Sequence, residues 1–191
     1  MASQRIGKYA CLEVEYRYLL NKIPDDLLDS SQGWLITDRY FPNTRLRLRH
    51  MHSLSGDEHI YKLAQKYRSE TQNAYETIIT NIYLTEAEYN HFEALEARIL
   101  KKKRYPYSLP SFSLSIEVFE GRHQGLILAE MEVEQKAEVD DLTLPSFVVK
   151  DVTEDPFFTG GNLATMSDEE FKQGLSQRLR DHKNLINQNA T

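Results

Sequence analysis

The chain has 191 residues, of which 40% are apolar and 27% charged, a composition that suits one globular domain with a sizeable core. Its net charge of −6 argues against general nucleic-acid binding, because such proteins usually carry a basic surface. No apolar run approaches the ~20 residues that cross a bilayer, and the first residues lack the apolar segment of a secretory signal. The single cysteine, Cys11, excludes an intramolecular disulfide. We therefore expect a cytoplasmic location with no membrane partner.

Alternation of apolar and polar residues, which has the period of a β-strand, dominates the first half of the chain. Pro42-Asn43 and Ser55-Gly56-Asp57 lie between such runs and predict turns. The pattern predicts five strands before the first helix, at residues 12–18, 34–41, 44–49, 60–68 and 75–84.

The periodicity then becomes helical, beginning at the potential N-cap Thr85, and apolar residues keep helical spacing as far as Ile99. Three more strands are predicted at residues 101–107, 111–120 and 126–135. A short strand at 147–152, a helical turn at 162–166 and a terminal helix at 167–188 complete the prediction. Eight antiparallel strands with few helices indicate an α+β, mainly β fold, either a barrel or a sandwich. A closed barrel of eight strands has room for side chains or one small ligand.

Charged residues alternate along several predicted strands, so that like charges share one face of each strand. The basic sets are Arg45, Arg47 and Arg49, then Lys62, Lys66 and Arg68, then Lys102 and Arg104. The acidic sets are Glu13 with Glu15, followed by Arg17 on the same face, and Glu130 with Glu132 and Glu134. For any single strand, a solvated outer face is the simpler explanation. Across the set, each strand tends to carry one sign, and like charges in a row repel one another unless a counter-ion lies between them.

A polyphosphate bound together with a divalent metal ion fits this segregation of charge. Phosphate oxygens accept forked, charge-assisted hydrogen bonds from arginine. Mg²⁺ and Mn²⁺ prefer carboxylate and phosphate oxygens. A cavity with basic walls for phosphate and acidic walls for metal would hold both at once.

The same residues resemble the CYTH superfamily, also called triphosphate tunnel metalloenzymes, over residues 12–165. Glu13-Val14-Glu15-Tyr16-Arg17 is similar to the Glu-x-Glu-x-Lys signature of that family, and Arg45-Leu46-Arg47 to its Arg-x-Arg strand. The remaining elements follow in the family order, namely Leu63-Ala64-Gln65-Lys66, Lys102-Lys103-Arg104-Tyr105, Glu117-Val118-Phe119, Ala129-Glu130-Met131-Glu132, Asp151-Val152-Thr153 and Asn162-Leu163-Ala164. The Glu117 and Glu130 segments form one motif of the family, and the Asp151 and Asn162 segments form another, so six motifs occur in the family order, which argues against a chance match.

The resemblance implies a single domain over residues 1–191, with a core at about 9–166, built as an eight-stranded antiparallel tunnel with helices packed outside. It implies Mg²⁺- or Mn²⁺-dependent chemistry on a triphosphate-containing small molecule. By position in the motifs, Glu13, Glu15 and Arg17 would be catalytic. The implied phosphate ligands are Arg45, Arg47, Lys66, Lys102 and Arg104, and the implied metal ligands are Glu13, Glu15, Glu117, Glu130 and Glu132.

Two departures from the family pattern bear on activity. Arg17 replaces the motif lysine, and arginine stays protonated, so it binds phosphate but does not act as a general base. The fifth strand of the family usually carries alternating glutamates, whereas Thr77–Ile79 is neutral and Glu76 falls on the other face.

Three functions therefore stay open: a metal-dependent triphosphatase, a class IV-type adenylate cyclase, and a degenerate module that binds a triphosphate or nucleotide without turnover. A homodimer is one possible assembly.

Overall fold

The computed structural model describes residues 7–27, 30–68, 73–134 and 142–189. Its strands are β1 (Cys11–Leu20), β2 (Trp34–Tyr40), β3 (Leu46–Ser53), β4 (His59–Arg68), β5 (Glu76–Leu84), β6 (Arg98–Ser108), β7 (Ser113–Phe119), β8 (Ile127–Val133) and β9 (Val148–Asp151). Its helices are α1 (Glu86–Glu93), α2 (Gly160–Thr165) and α3 (Asp168–Asn189). None of the described helices combines the length and the apolar character needed to cross a membrane.

Eight of the strands close into an antiparallel barrel, which confirms the predicted barrel and excludes the sandwich. Neighbouring strands follow the order β5-β4-β3-β2-β6-β7-β8-β1, and pairing of β1 with β5 closes the ring. Strand β1 makes three separate pairings along its length. Its first residues pair with β5, its middle with β8, and its end from Tyr18 to Leu20 with the extra strand β9.

The inner face of the barrel changes from charged to apolar toward one end. Because side chains alternate between faces, each charged row of β1, β6, β7 and β8 continues into an apolar residue, respectively Leu19, Leu100, Phe119 and Leu128. These four side chains are almost completely buried and belong to one apolar cluster. The chain that follows β9 supplies the other members of the cluster, including Phe157, Phe158, Leu163, Ala164 and Phe171. Apolar packing therefore fills this end of the barrel and leaves the charged residues toward the other.

Local capping explains where two of the helices begin. At α1, the predicted N-cap Thr85 accepts a hydrogen bond from the Glu88 amide, and the Glu88 carboxylate accepts one in return from the Thr85 amide, which forms a capping box. Ser167 and Glu170 make the same reciprocal pair at α3. Helix α3 is then held against the end of the barrel by Phe171 and by an ion pair from Arg178 to Asp155, 2.5 Å from Nε to Oδ2.

The end of the first helix differs from the prediction. Helical spacing of apolar residues suggested that it continues to Ile99, but α1 ends at Glu93 and Ile99 lies within β6. Strand β6 already pairs with β2 at Arg98, opposite Tyr40, so the ladder hydrogen bonds of the barrel override the local helical spacing. The last residue predicted for the eighth strand, Gln135, lies outside the described residues.

Candidate active site in the barrel

A cavity of about 410 Å³ occupies the charged part of the barrel, within the size range of small-molecule sites. Among the described residues, eight basic side chains line it but only three acidic ones, so the lining is net positive although the whole chain is acidic. The basic residues are Arg17, Arg45, Arg47, Arg49, Lys66, Arg68, Lys102 and Arg104, and the acidic residues are Glu13, Glu15 and Glu130. The barrel therefore brings together side chains from β1, β3, β4, β6 and β8.

The acidic residues of β1 lie against basic side chains on both sides. Glu13 accepts a hydrogen bond from the Lys66 ammonium at 2.5 Å, and Lys66 also lies 3.7 Å from Glu15. Arg17 donates to Glu15 at 2.5 Å and to Glu130 at 3.2 Å, which joins β1 to β8. Burial would lower the pKa of Arg17, but the carboxylates of Glu15 and Glu130 raise it, so its guanidinium stays charged.

A second group of ion pairs lies deeper, between β6, β7 and β8. Glu117 is 1% exposed and holds Lys102 at 2.5 Å together with the guanidinium of Arg104. Arg104 also donates to Glu130 at 2.6 Å. Glu117 does not line the cavity, so its visible role is to neutralise and orient the two basic side chains that do.

The carboxylates of Glu15 and Glu130 differ in their affinity for protons. Burial and the nearby charge of Glu130 raise the pKa of Glu15, although Lys66 opposes this effect. Burial acts in the same direction on Glu130, but Lys102 and Arg104 hold the pKa of that carboxyl well below its usual value. Glu130 therefore stays ionised, and Glu15 is the first of the two to take up a proton as the pH falls.

The wall formed by β2 and β3 contains a buried acid that we did not single out from the sequence. Asp38 is 0% exposed and accepts two hydrogen bonds from Arg49, at 2.6 Å from Nε and 2.8 Å from Nη2. Arg47 Nε lies 3.5 Å from the same carboxylate and is buried without a hydrogen-bond partner among the described residues. Arg49 was recognised as part of the basic set but not assigned to the site.

Basic and aromatic side chains form the rim of the cavity. The Arg45 guanidinium lies over the Tyr67 ring, 4.4 Å from its centroid, and Arg68 lines the cavity beside them. On β5, Thr77 and Ile79 face the cavity, and Glu76 instead accepts a hydrogen bond from Asn73. This strand therefore adds no acid to the cavity lining, as its sequence indicates.

The segment after β9 completes the cavity. Thr153 accepts a hydrogen bond from the Arg17 amide at 2.9 Å, and Gly160 and Gly161 line the cavity at the start of α2. A Cβ atom at Gly160 would lie only 2.1 Å from the Tyr40 hydroxyl, so the close approach of α2 to β2 requires glycine there. The glycine pair has a packing role that its sequence alone did not reveal.

The acidic residues of the cavity suit a hard divalent cation only if the substrate contributes ligands too. Among the described residues, no three His, Cys, Asp or Glu side chains lie close enough to hold a metal ion. Mg²⁺ is commonly coordinated by one or two carboxylates together with waters and substrate phosphates. Glu13 and Glu15 would supply such a pair of carboxylates. The exposed Glu132 does not line the cavity, and both carboxylate oxygens of Glu117 face Lys102. Metal binding by Glu117 and Glu132 stays a prediction from the family resemblance.

A larger cavity, of about 740 Å³, lies on the outer side of β1. Among the described residues, Tyr16, Tyr18 and Tyr75 line it, together with three acidic residues and one basic residue, Lys150. The net negative charge of this lining would repel a polyphosphate. The larger of the two cavities is therefore not the candidate site. The barrel cavity carries the candidate chemistry.

Comparison with known proteins gives the same fold. No protein-family model matches the chain. Over 78 residues it is 28% identical to a protein named inorganic triphosphatase from Acetivibrio thermocellus, a match that covers 41% of this chain and 49% of that relative, about half its length. The crystal structure of the inorganic triphosphatase NE1496 matches with a TM-score of 0.55 and 23% identity, covering 81% of this chain and 95% of that one. A second NE1496 structure gives the same TM-score at 24% identity, with 98% of that chain covered.

Proposed function

We propose that the chain is a triphosphate tunnel protein of the CYTH superfamily and a metal-dependent triphosphatase acting inside the barrel. The observation that carries the proposal is the excess of basic side chains, eight against three acidic ones, within one cavity of about 410 Å³. A triphosphate is a compact anion whose oxygens accept several hydrogen bonds from such groups. The triphosphatase relative supports the same assignment. We also propose that the barrel and α3 act as one domain.

The phosphates would be bound mainly by Arg47, Arg49, Lys66 and Arg104, with Arg45 at the rim. Arginine matches phosphate with a planar fork, whereas lysine contributes a mobile point charge. Lys102 lies beneath them and adds positive charge, although burial lowers its pKa against the attraction of Glu117. Preorganised cations of this kind stabilise negative charge that shifts toward the leaving oxygen during phosphoryl transfer.

Glu13 and Glu15 are the residues that would hold Mg²⁺ or Mn²⁺. When bound, such an ion polarises the phosphoryl group and positions or activates the attacking water. In the structure, the Lys66 ammonium pairs with the same two carboxylates and lies 2.5 Å from Glu13 and 3.7 Å from Glu15. A triphosphate entering the cavity would draw the Lys66 ammonium toward its own oxygens and release Glu13, whereas Glu15 would keep its ion pair with Arg17.

Hydrolysis would break the bond between the terminal phosphorus and its bridging oxygen. Water supplies the new oxygen, diphosphate leaves with the bonding electrons, and the excess proton passes to the released phosphates or to solvent. Arg17 would hold the terminal phosphate, or the carboxylates around it, without accepting that proton.

The test is release of phosphate from inorganic triphosphate, ATP and thiamine triphosphate, each with Mg²⁺, Mn²⁺ or a chelator. We expect release from at least one of them, loss of that release with the chelator, and a parallel fall in an Arg47→Met variant. The variant is informative because phosphate release by a contaminating phosphatase would not change with the Arg47→Met substitution. No release from any substrate with either metal would contradict the proposal, and cyclic AMP from ATP without phosphate release would indicate a cyclase instead.

The fixed ion pairs of Arg17 favour a second candidate, a module that binds a triphosphate without turnover. Because arginine cannot give up its proton and is held by Glu15 and Glu130, proton transfer from water lacks the lysine of the family motif. Tight binding measured by calorimetry beside absent phosphate release would identify this function.

An Arg17→Lys variant separates the two candidates further. A buried lysine changes its pKa readily, so we expect the substitution to raise the rate of phosphate release if proton transfer limits the wild-type protein. The measurement is kcat for the variant and for the wild type on the same substrate. A kcat that falls instead would show that arginine at this position serves turnover directly.

A further inference from the structure

A buried acid beside an anion-binding cavity is unexpected, and Asp38 is such an acid. It lies on the inner face of β2 and is 0% exposed. It is not part of the cavity lining, whereas Arg47 and Arg49 of the neighbouring strand are. A carboxylate at this position repels a polyphosphate through space, so its presence calls for a compensating role.

The contacts of Asp38 define that role. Both of its oxygens accept hydrogen bonds from Arg49, at 2.6 and 2.8 Å, in the bidentate arrangement that fixes the plane of a guanidinium. Its Oδ1 also lies 3.5 Å from Arg47 Nε. The pKa of Asp38 is held below its usual value because the charges of Arg49 and Arg47 outweigh the effect of burial.

The ion pairs with Asp38 leave part of each guanidinium available for hydrogen bonds to phosphate oxygens. Arg49 uses Nε and Nη2 for Asp38, so among the described residues Nη1 is the nitrogen without such a bond. The repulsion between two arginines that share one strand face is offset by the carboxylate between them. Without that carboxylate, Arg47 and Arg49 would repel each other, and the long Arg49 side chain would lose its fixed position.

We propose that Asp38 is a positioning residue, which orients Arg49 and Arg47 for binding the phosphates of the substrate without touching it. This inference rests on the proposed function. The inference predicts the direction in which the affinity for triphosphate changes when Asp38 is removed. If Asp38 acted only as a nearby negative charge, its removal would tighten the binding of an anion, whereas loss of a positioning residue weakens it.

The experiment is calorimetric titration of inorganic triphosphate in a chelator-containing buffer into the wild type, Asp38→Asn, Asp38→Glu and Asp155→Asn. Asp155 is the matched control, because it also makes a two-point ion pair with an arginine, Arg178, but outside the barrel cavity. We expect Kd to rise about tenfold or more in Asp38→Asn and Asp38→Glu, and to change less than twofold in Asp155→Asn. Asp38→Glu keeps the charge but shifts the carboxylate by one methylene, so it tests position separately from charge and serves if Asp38→Asn fails to fold.

An Arg49→Met variant and the double variant with Asp38→Asn test whether the effect passes through the arginine. We expect Asp38→Asn to weaken binding by a clearly smaller factor in the Arg49→Met background than in the wild type, a non-additivity that general damage to the fold would not produce. In the hydrolysis assay, KM should rise in Asp38→Glu with kcat changed much less.

The outcomes distinguish this inference from the proposed function. Absence of triphosphate binding by the wild type in the chelator-containing buffer would overturn the positioning role, and absence of phosphate release with either metal as well would overturn both. Wild-type binding, together with unchanged or tighter binding by Asp38→Asn or unchanged binding by Asp38→Glu, would overturn the positioning role alone.

Discussion

Replacing Glu117 by glutamine is expected to destabilise the barrel by about 3–5 kcal/mol, the usual cost of removing one partner from a buried ion pair. Glu117 is 1% exposed and neutralises both Lys102 and Arg104, and Lys102 is itself 5% exposed. Glutamine keeps the shape but leaves two cations without their shared counter-ion. For a chain of this length, the change corresponds to a fall in Tm of roughly 6–20 °C, measured by calorimetry or circular dichroism.

Glu120→Gln provides the matched control for that measurement. Glu120 lies close in sequence and pairs with Lys103 at 3.5 Å, but both side chains are more than a third exposed. Exposed pairs of this kind contribute about 0–1 kcal/mol, so Tm should change little. Equal Tm values for Glu117→Gln and the wild type would mean that Lys102 and Arg104 do not depend on Glu117 for their charge balance.

Arg47→Met is expected to weaken triphosphate binding roughly 10- to 100-fold, since a hydrogen bond to a charged group contributes about 1.5–3 kcal/mol. Arg47 lines the cavity, and its Nε has no hydrogen-bond partner among the described residues. Asp38 keeps its bidentate pair with Arg49 in the variant, so the stability of the fold should change much less than the affinity. The readouts are Kd from calorimetry and Tm from thermal unfolding.

Arg39→Met is the control for this effect. Arg39 lies on β2 next to the same wall but faces outward, where it donates a hydrogen bond to the Glu93 carbonyl oxygen at 2.7 Å. The control should leave Kd unchanged even if it lowers Tm. A similar loss of affinity in both variants would show that the binding defect follows general damage and not the loss of a phosphate ligand.

The barrel was predictable because the alternation of apolar and charged residues in the sequence corresponds to the two faces of its strands. The strict period of two in residues 12–18 and 44–49 reflects strands with one charged inner face and one apolar outer face, and the structure confirms both strands. The eight-stranded barrel that the resemblance to the CYTH superfamily implies is confirmed as well. The end of α1 was not predictable from the same pattern, because Leu95 and Ile99 keep helical spacing although the chain beyond Glu93 leaves the helix.

Most residues of the charged rows predicted from the sequence meet in one cavity, although Lys62 and Glu132 do not line it. The ion pairs inside the cavity follow from cross-strand register. Asp38 was missed because it is a single acid in the run 34–41, and only its position opposite Arg49 reveals its role. The deep position of Glu117 depends likewise on its register with Arg104 and Leu128. In the structure this acid pairs with lysine and arginine, and its metal role stays a prediction. The roles assigned to the cavity residues themselves stay predictions.

The central claim is that the charged interior of the barrel binds a triphosphate. The most direct measurement is a crystal structure of the full chain soaked with a non-hydrolysable triphosphate analogue and Mn²⁺. We predict phosphate density inside the barrel, in contact with Arg47, Lys66 and Arg104. Density for the analogue only on the outer surface, with the barrel cavity filled by water at full analogue concentration, would contradict the account.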